Sequence, residues 1–221
     1  MAITLHHVPQ SRSMRVLWLL HELAVEFDLE THPFDKSLRE EPFRSLHPGG
    51  RVPVLELDGQ VIRESGAMIE VLCERFDPRG LGRPTGHRER PKWLEWVHFA
   101  ESLSQHCAIL SQQHIFLRDD AMRSPTLMKL EAARLGRMLR VVEEGLAGEY
   151  LLASDFSAAD VAVGQAAYMA RHFVTFDHVP GVAEWMARLQ ARDGFQASLP
   201  EPGTGLYARD FYPPLDDLSD G

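Results

Sequence analysis

The sequence predicts an α/β unit over residues 1–78, a linker at 79–91, an all-α domain over 92–199 and an irregular tail at 200–221. Three observations predict it. In "RVPVLELDGQVIRES" (51–65) the pair Asp58-Gly59 joins two apolar runs. Such a pair marks a tight hairpin, because both residues tolerate positive φ. "DPRGLGRPTGHRERP" (77–91) has the Gly, Pro and Arg content of a linker. Beyond it, apolar residues recur at helical spacing and no strand-like alternation is evident.

Taken in order, "AITLHHV" (2–8) reads as a short strand and Pro9 to Ser13 as a turn. Val16, Leu19, Leu20 and Leu23 then fall on one helical stripe, widened by Leu17 and Ala24. "EFDLETHPF" (26–34) reads as a second strand, and "SLREEPFRSLHPGG" (37–50) as a short helix and a loop. Pro53 opens the first hairpin arm, where a missing N–H costs little on an edge strand. Ile69, Leu72, Cys73 and Phe76 mark the helix that follows Ser65. In the second half, stripes run through Trp93, Trp96, Val97, Ala100, Leu103, Cys107 and Leu110, then Leu135, Met138, Leu139, Val142 and Leu146, then Val182, Trp185, Met186 and Leu189.

Composition narrows the function. Of 221 residues, 44% are hydrophobic and 25% charged, which suits a globular protein with an ample core. The formal net charge of −9 argues against sequence-independent nucleic-acid binding, which needs a basic face. No apolar run reaches the ~20 residues of a membrane helix, and the N-terminus lacks a signal-peptide pattern. With two cysteines, Cys73 and Cys107, a disulfide framework is not expected and a cytoplasmic setting is the default. His98, His106 and His114 are spaced by eight, which turns each about 80° around a helix, so no metal site is expected of them.

Two helix starts carry serines. Ser11 and Ser13 precede the first helix, where unpaired N–H groups and a partial positive charge favour an anion, a thiolate included. From this stretch alone a capping role is the favoured reading, since serine is among the commonest N-caps, and a nucleophilic serine would need a base such as His6 or His7. Ser65 sits at the start of the next helix with Glu64 before it. Together they suit an amino-acid-like group: Ser65 for a carboxylate, Glu64 for an ammonium. A cis bond at Val52-Pro53 would present the Val52 N–H and C=O to a ligand, whereas a trans proline would simply begin an edge strand.

The order "SRSMRVLWLLHEL", "HPGGRVPVL", "LDGQVIRES" and a helical second half resembles the cytosolic glutathione S-transferases, closest to the serine-type bacterial and fungal members. The resemblance runs to about Leu199. It implies a thioredoxin-like first domain, a cis Val52-Pro53 bond and a homodimer. It also implies glutathione as co-substrate, with no covalent cofactor, and a small electrophile as the other substrate, in a detoxification-type conjugation or the reduction of organic hydroperoxides. By position Ser11 matches the catalytic serine, with Ser13 as the fallback. Glu64 and Ser65 match the holders of the γ-glutamyl end, and Val52 with Pro53 the contact to the cysteinyl part. Arg51 stands where lysine or glutamine is common. Lys36 or Arg39 would serve the glycine carboxylate. Ser157 and Asp160 resemble the family's structural capping box. The expected electrophile pocket takes His106, Gln113, His114 and Phe116, and the tail aromatics Tyr207, Phe211 and Tyr212 are candidates to fold over it. At the redox Cys-x-x-Cys position this chain has Ser11-Arg12-Ser13-Met14, which disfavours dithiol exchange. A non-enzymatic binding or assembly protein on the same fold is the alternative, and a serine hydrolase a third reading.

Overall fold

The computed structural model describes residues 2–117, 119–204 and 207. Four strands, β1 (Ile3–His7), β2 (Asp28–Thr31), β3 (Val54–Leu57) and β4 (Gln60–Arg63), form one sheet in the order β2-β1-β3-β4. β1 pairs in parallel with β2 and antiparallel with β3, which pairs antiparallel with β4 across the Asp58-Gly59 turn. Asp58 and Gly59 both take positive φ, as that turn requires. β3 is therefore an interior strand. Pro53 is tolerated because it precedes the ladder, which begins at Val54, and not because the strand lies at an edge. This is the thioredoxin-like arrangement expected of the first domain.

Helix α1 (Ser13–Leu23) is buried almost all round, not along one stripe. It packs against β1, against α3 (Ser65–Phe76) and against the late helix α8 (Asp193–Ala197). Even its charged residues are enclosed. Arg15 is fully buried and donates from Nη1 to Ser65 Oγ at 3.1 Å. Glu22 accepts from Arg192 Nε and Nη2, both at 2.8 Å, and from Trp18 Nε1 at 2.9 Å. Trp18 meets the Phe195 ring edge-on at 5.1 Å. These contacts explain a departure from the sequence-based boundary: residues 190–204 and 207 belong to the same compact unit as residues 2–93. Periodicity shows which face of a helix is apolar, but not what covers it.

The segment between β2 and β3 holds a 3-10 turn at Lys36–Arg39 and the short helix α2 (Phe43–Leu46). Leu38 and Phe43 pack with Val8 and Val54, and Leu46 and Val52 join them. Gly50, at φ 59°, lets the chain turn back against this segment, since a Cβ there would stand 2.7 Å from the Leu38 carbonyl oxygen.

The second unit, described residues 94–189, holds most of α4 (Arg90–Ser111), then α5 (Pro125–Gly145), α6 (Ala158–Ala170) and α7 (Pro180–Gln190). At its centre α6 is wholly buried. Ser157 Oγ accepts from Ala159 N–H at 3.2 Å, and Asp160 Oδ2 accepts from Ser157 N–H at 2.9 Å, the reciprocal bonds of a capping box. Asp160 Oδ1 also takes Leu151 N–H and Trp185 Nε1, both at 3.0 Å. One carboxylate thus ties the start of α6 to α7 and to the preceding loop. Glu143 plays a similar part for α7, accepting from Gly181 and Val182 N–H at 3.0 and 2.7 Å.

Candidate functional site

Strand register gathers the site. β1 runs parallel to β2 and antiparallel to β3, and β3 antiparallel to β4. The C-terminal ends of β1, β2 and β4 and the N-terminal end of β3 therefore share one end of the sheet. There lie the turn at residues 8–12, His32–Phe34, Val52–Pro53 and Glu64–Ser65.

The turn after β1 is built by its serines. Ser13 is fully buried, and its Oγ accepts from Val8 N–H at 3.1 Å. Around the same oxygen stand Val8 O at 3.1 Å, His7 Nδ1 at 2.8 Å and Ser11 Oγ at 2.7 Å. Ser13 is therefore consumed within the turn and does not face outward. Ser11 is partly exposed, and its Oγ accepts Ser13 N–H at 3.2 Å. Of the two candidates, Ser11 is the one at the surface of the helix start. Neighbouring Gln10 takes φ 54°, a strained value for a non-glycine residue. It is buried, and its Oε1 accepts the Tyr207 N–H at 2.7 Å. Tyr207, from the tail, is thus strapped to this turn; Phe211 and Tyr212 lie outside the described residues.

Period-two alternation along β1 sends His7 and His6 to opposite faces of the sheet. His7 meets Ser13 on the α1 side; burial, reinforced by the charge of His32, lowers its pKa to about 4, so the ring is neutral near neutral pH. His6 bonds Glu56 and His32, each at 2.9 Å, and meets the Phe43 ring edge-on. Sequence reasoning left the reach of His6 and His7 undecided and missed both arrangements. The alternation of β1 was the available signal for the side each takes.

The bond Val52-Pro53 is cis, as is Glu41-Pro42. Because the β1–β3 ladder begins at Val54, the Val52 N–H and C=O lie outside it. At the start of α3, Glu64 is exposed and takes φ 72°, ψ 115°, well away from ordinary backbone for a residue with a Cβ. Such strain gathers at ligand-binding positions. Ser65 Oγ accepts one bond from Arg15, and its own O–H can still donate to a ligand. Lys36, Arg39 and Arg51 are all exposed, with Lys36 3.8 Å from Glu40.

A cleft of about 250 Å³ opens at the same sheet end, lined by Val8, Pro9, Thr31, His32, Pro33, Phe34 and Thr204. None of the four residues assigned to an electrophile pocket from sequence lines it. His106 is buried and bonds Glu131 at 2.6 Å, a carboxylate that also takes Arg134. Gln113 is buried too, and its Oε1 caps the Ser124 N–H at 2.9 Å. These two are engaged in holding the second unit together. His114 and Phe116 lie on a π-helical turn, Gln112–Phe116, that follows α4. Cys73 is buried, and burial, with the charge of Asp77 adding to it, pushes its thiol well up; Cys107 is buried as well.

Residues 5–80 match the family model described as the N-terminal domain of glutathione S-transferase. Glutathione S-transferase 3 of Schizosaccharomyces pombe is 31% identical over 100 residues, 45% of this chain and 41% of that protein. Glutathione S-transferase-like protein OpS6 of Beauveria bassiana is 28% identical over 188 residues, 80% of this chain and 85% of its own. Among solved structures, a glutathione transferase homologue of Lodderomyces elongisporus, crystallised with two GSH per subunit, superposes with a TM-score of 0.81 at 20% identity. That superposition covers 90% of this chain and 97% of the other.

Proposed function

We propose that the chain is a glutathione S-transferase, a reading supported by the match of residues 5–80 to the family's N-terminal domain and by its relatives, and that it binds glutathione at the sheet end described above and activates the thiol for attack on electrophilic small molecules. The observation that carries the reading is the convergence, by strand register, of Ser11, Val52–Pro53 and Glu64–Ser65 at one end of the sheet. Each group has a task that its chemistry suits. The Val52 N–H and C=O pair with the cysteinyl backbone as an added strand would. Ser65 O–H and the start of α3 take the γ-glutamyl carboxylate, and Glu64 its ammonium. Lys36, Arg39 and Arg51 are exposed cations suited to the glycine carboxylate.

Ser11 then donates its O–H to the sulfur. A free thiol has a pKa of about 8.5, and lowering it by roughly two units takes about 2.7 kcal/mol. A hydroxyl hydrogen bond to an anion contributes about 1.5–3 kcal/mol, and the helix end about 0.3–1 kcal/mol. The two suffice without a general base. The thiolate attacks the electrophilic carbon and expels the leaving group; with an organic hydroperoxide it attacks the terminal oxygen, the O–O bond breaks and the alcohol leaves, and a second glutathione converts the resulting sulfenic acid to glutathione disulfide and water. The electrophile occupies the cleft beside Pro9, His32 and Phe34. Ser13, paired with His7, has the partners of a hydrolytic serine, but its full burial and saturated oxygen leave no room for attack on a substrate.

Retention on a glutathione resin together with turnover of an aryl halide tests the reading. Ser11→Ala is expected to lower kcat/KM near neutral pH by roughly 10- to 100-fold and to leave glutathione affinity nearly unchanged. Retention without turnover of any electrophile in a panel of aryl halides, isothiocyanates, hydroperoxides and mixed disulfides would instead mark a binding protein on this fold.

A further inference from the structure

We propose that His32 is a specificity-determining residue of the cleft. Its Nδ1, kept as a hydrogen-bond acceptor by a chain that runs through His6 to Glu56, selects electrophiles that carry a hydroxyl or N–H group. This rests on the reading that the electrophile occupies the cleft beside bound glutathione, and it names the class of that substrate.

The chain has one end that only accepts. His6 reaches Glu56 Oε1 through Nε2 and His32 Nε2 through Nδ1, each at 2.9 Å. Between two rings, distance alone allows either donor. The carboxylate removes that choice, because in its ionised form it has no proton to give. His6 therefore carries a proton on Nε2. In the neutral ring its Nδ1 is then an acceptor, so the proton between the rings belongs to His32 Nε2. His32 keeps a lone pair on Nδ1, and with Nε2 committed to His6 this is the ring nitrogen left for a ligand. Adding a proton changes the two rings in one way. It takes the remaining ring lone pair, at His32 Nδ1, whichever ring then carries the charge.

Packing holds the arrangement at the cleft wall. Phe43 is buried and meets both rings edge-on, at 5.8 Å for His6 and 4.9 Å for His32. The His32 N–H donates to His7 O at 2.8 Å, which ties down its backbone. An acceptor fixed in advance loses little freedom when a ligand binds. Burial and the charge of His6 lower the His32 pKa, against the opposite pull of Glu30, so the acceptor form prevails near neutral pH. His7, which also faces His32, is neutral over the same range. The rest of the lining agrees. Val8, Pro9, Pro33 and Phe34 give the cleft an apolar body, and Thr204 spends its hydroxyl proton on Glu201 O at 2.7 Å. Thr31 lines it too, but a hydroxyl gives and accepts alike. Such a cleft takes its selectivity from a few placed polar groups. A phenol or similar group meets a matched acceptor, whereas an ether oxygen meets lone pair against lone pair.

The test uses glutathione S-conjugates, which carry a group into the cleft without turnover. Calorimetry gives the Kd of S-benzylglutathione and of its ortho, meta and para hydroxybenzyl and methoxybenzyl analogues. In the wild type at least one hydroxybenzyl isomer should bind roughly fivefold tighter than its methoxy match near neutral pH. The ratio should shrink as pH falls below about 6, because a protonated Nδ1 donates to either oxygen. His32→Phe should bring the ratio to about one or below at every pH and leave S-benzylglutathione affinity within about twofold. His6 and Glu56 act through His32, as positioning residues. His6→Phe and Glu56→Ala should therefore each lower the ratio, whereas Glu56→Gln should retain most of it, since its amide oxygen still accepts from His6. A wild type that prefers no hydroxybenzyl isomer, or a preference that His32→Phe leaves intact, overturns the proposal. Should His32→Phe not fold, a wild-type ratio that stays constant through the acid range overturns it instead. If S-benzylglutathione itself does not bind, the glutathione reading falls, and the role of His32 with it.

Discussion

The starts of α1 and α6 use the same residue type to opposite ends. Both helices follow a serine. At α6 every capacity turns inward: Ser157 and Asp160 are fully buried, cap one another, and the Asp160 carboxylate also takes Leu151 N–H and Trp185 Nε1. An acid in the first turn balances the helix dipole. At α1 the N-cap is Arg12, whose side chain makes no cap bond, and the first turn holds no acid. Ser11 covers one N–H from a half-exposed position. A capping serine is structural where all its bonds close and the charge is balanced from within. Where the helix end keeps its positive character, an anion from outside can supply the balance.

The sharpest way to break this contrast is Asp160→Ala. It removes a carboxylate with four hydrogen bonds, those from Leu151, Trp185 and the Ser157 N–H and O–H, all in the core. We expect a loss of about 4 kcal/mol in chemical denaturation, since buried donors are left without acceptors, and no change in which electrophiles the remaining folded protein accepts. A loss under about 1 kcal/mol would place α6 in the same open class as α1. The next effect is acid-dependent and belongs to the α1 start, which is wired to a titratable ring. The folded pKa of His7 is lowered from 6.5 to about 4. Between those values the unfolded chain binds a proton that the folded chain does not, so stability falls as pH is lowered through that window. His21 and His32, both lowered chiefly by burial, act in the same sense. His7→Asn should flatten this slope of the urea midpoint against pH without abolishing it.

Much of this was legible in the sequence, and the rest was hidden for identifiable reasons. Asp58-Gly59 announced the hairpin because only a few residue pairs take its dihedrals readily, and Ser157-x-x-Asp160 announced a helix start because a capping box is local. The burial of Arg15 and Glu22 was not legible, since their partners, Ser65 and Arg192, lie 50 and 170 residues away. Nor was the attachment of α8 to the first unit, which depends on Trp18, Glu22 and Phe195 meeting in space. The assignment of His106 and Gln113 to an electrophile pocket followed from the resemblance, and their hydrogen-bond partners, Glu131 and the Ser124 N–H, lie later in the chain, where no local pattern announces them. In the sequence, Ser11 ranks above Ser13 only by its position in the pattern that the resemblance supplies. What separates them is burial: Ser13 Oγ is enclosed by His7 and the Val8 backbone.

Smaller effects sharpen the comparison from the α1 side. Ser11→Ala should cost about 1 kcal/mol of stability or less, because one N–H at a partly solvated helix start loses its acceptor, against the tenfold or greater loss in kcat/KM proposed above. The smallest expected change concerns Glu64 and has the opposite sign. This residue holds φ 72° at the start of α3, where its side chain makes no cap bond. Glycine takes positive φ without the clash of a Cβ, but it also adds freedom to the unfolded chain. The two terms leave Glu64→Gly with a net gain of about 0.5 kcal/mol in unfolding free energy. Glutathione affinity should fall at the same time, since the substitution removes the carboxylate proposed to meet the γ-glutamyl ammonium. A variant that gains stability and loses affinity fits a backbone strained for the ligand's sake. One that loses stability with unchanged affinity would mean that Glu64 serves the fold, as Asp160 does, and would move the start of α3 to the closed side of the comparison.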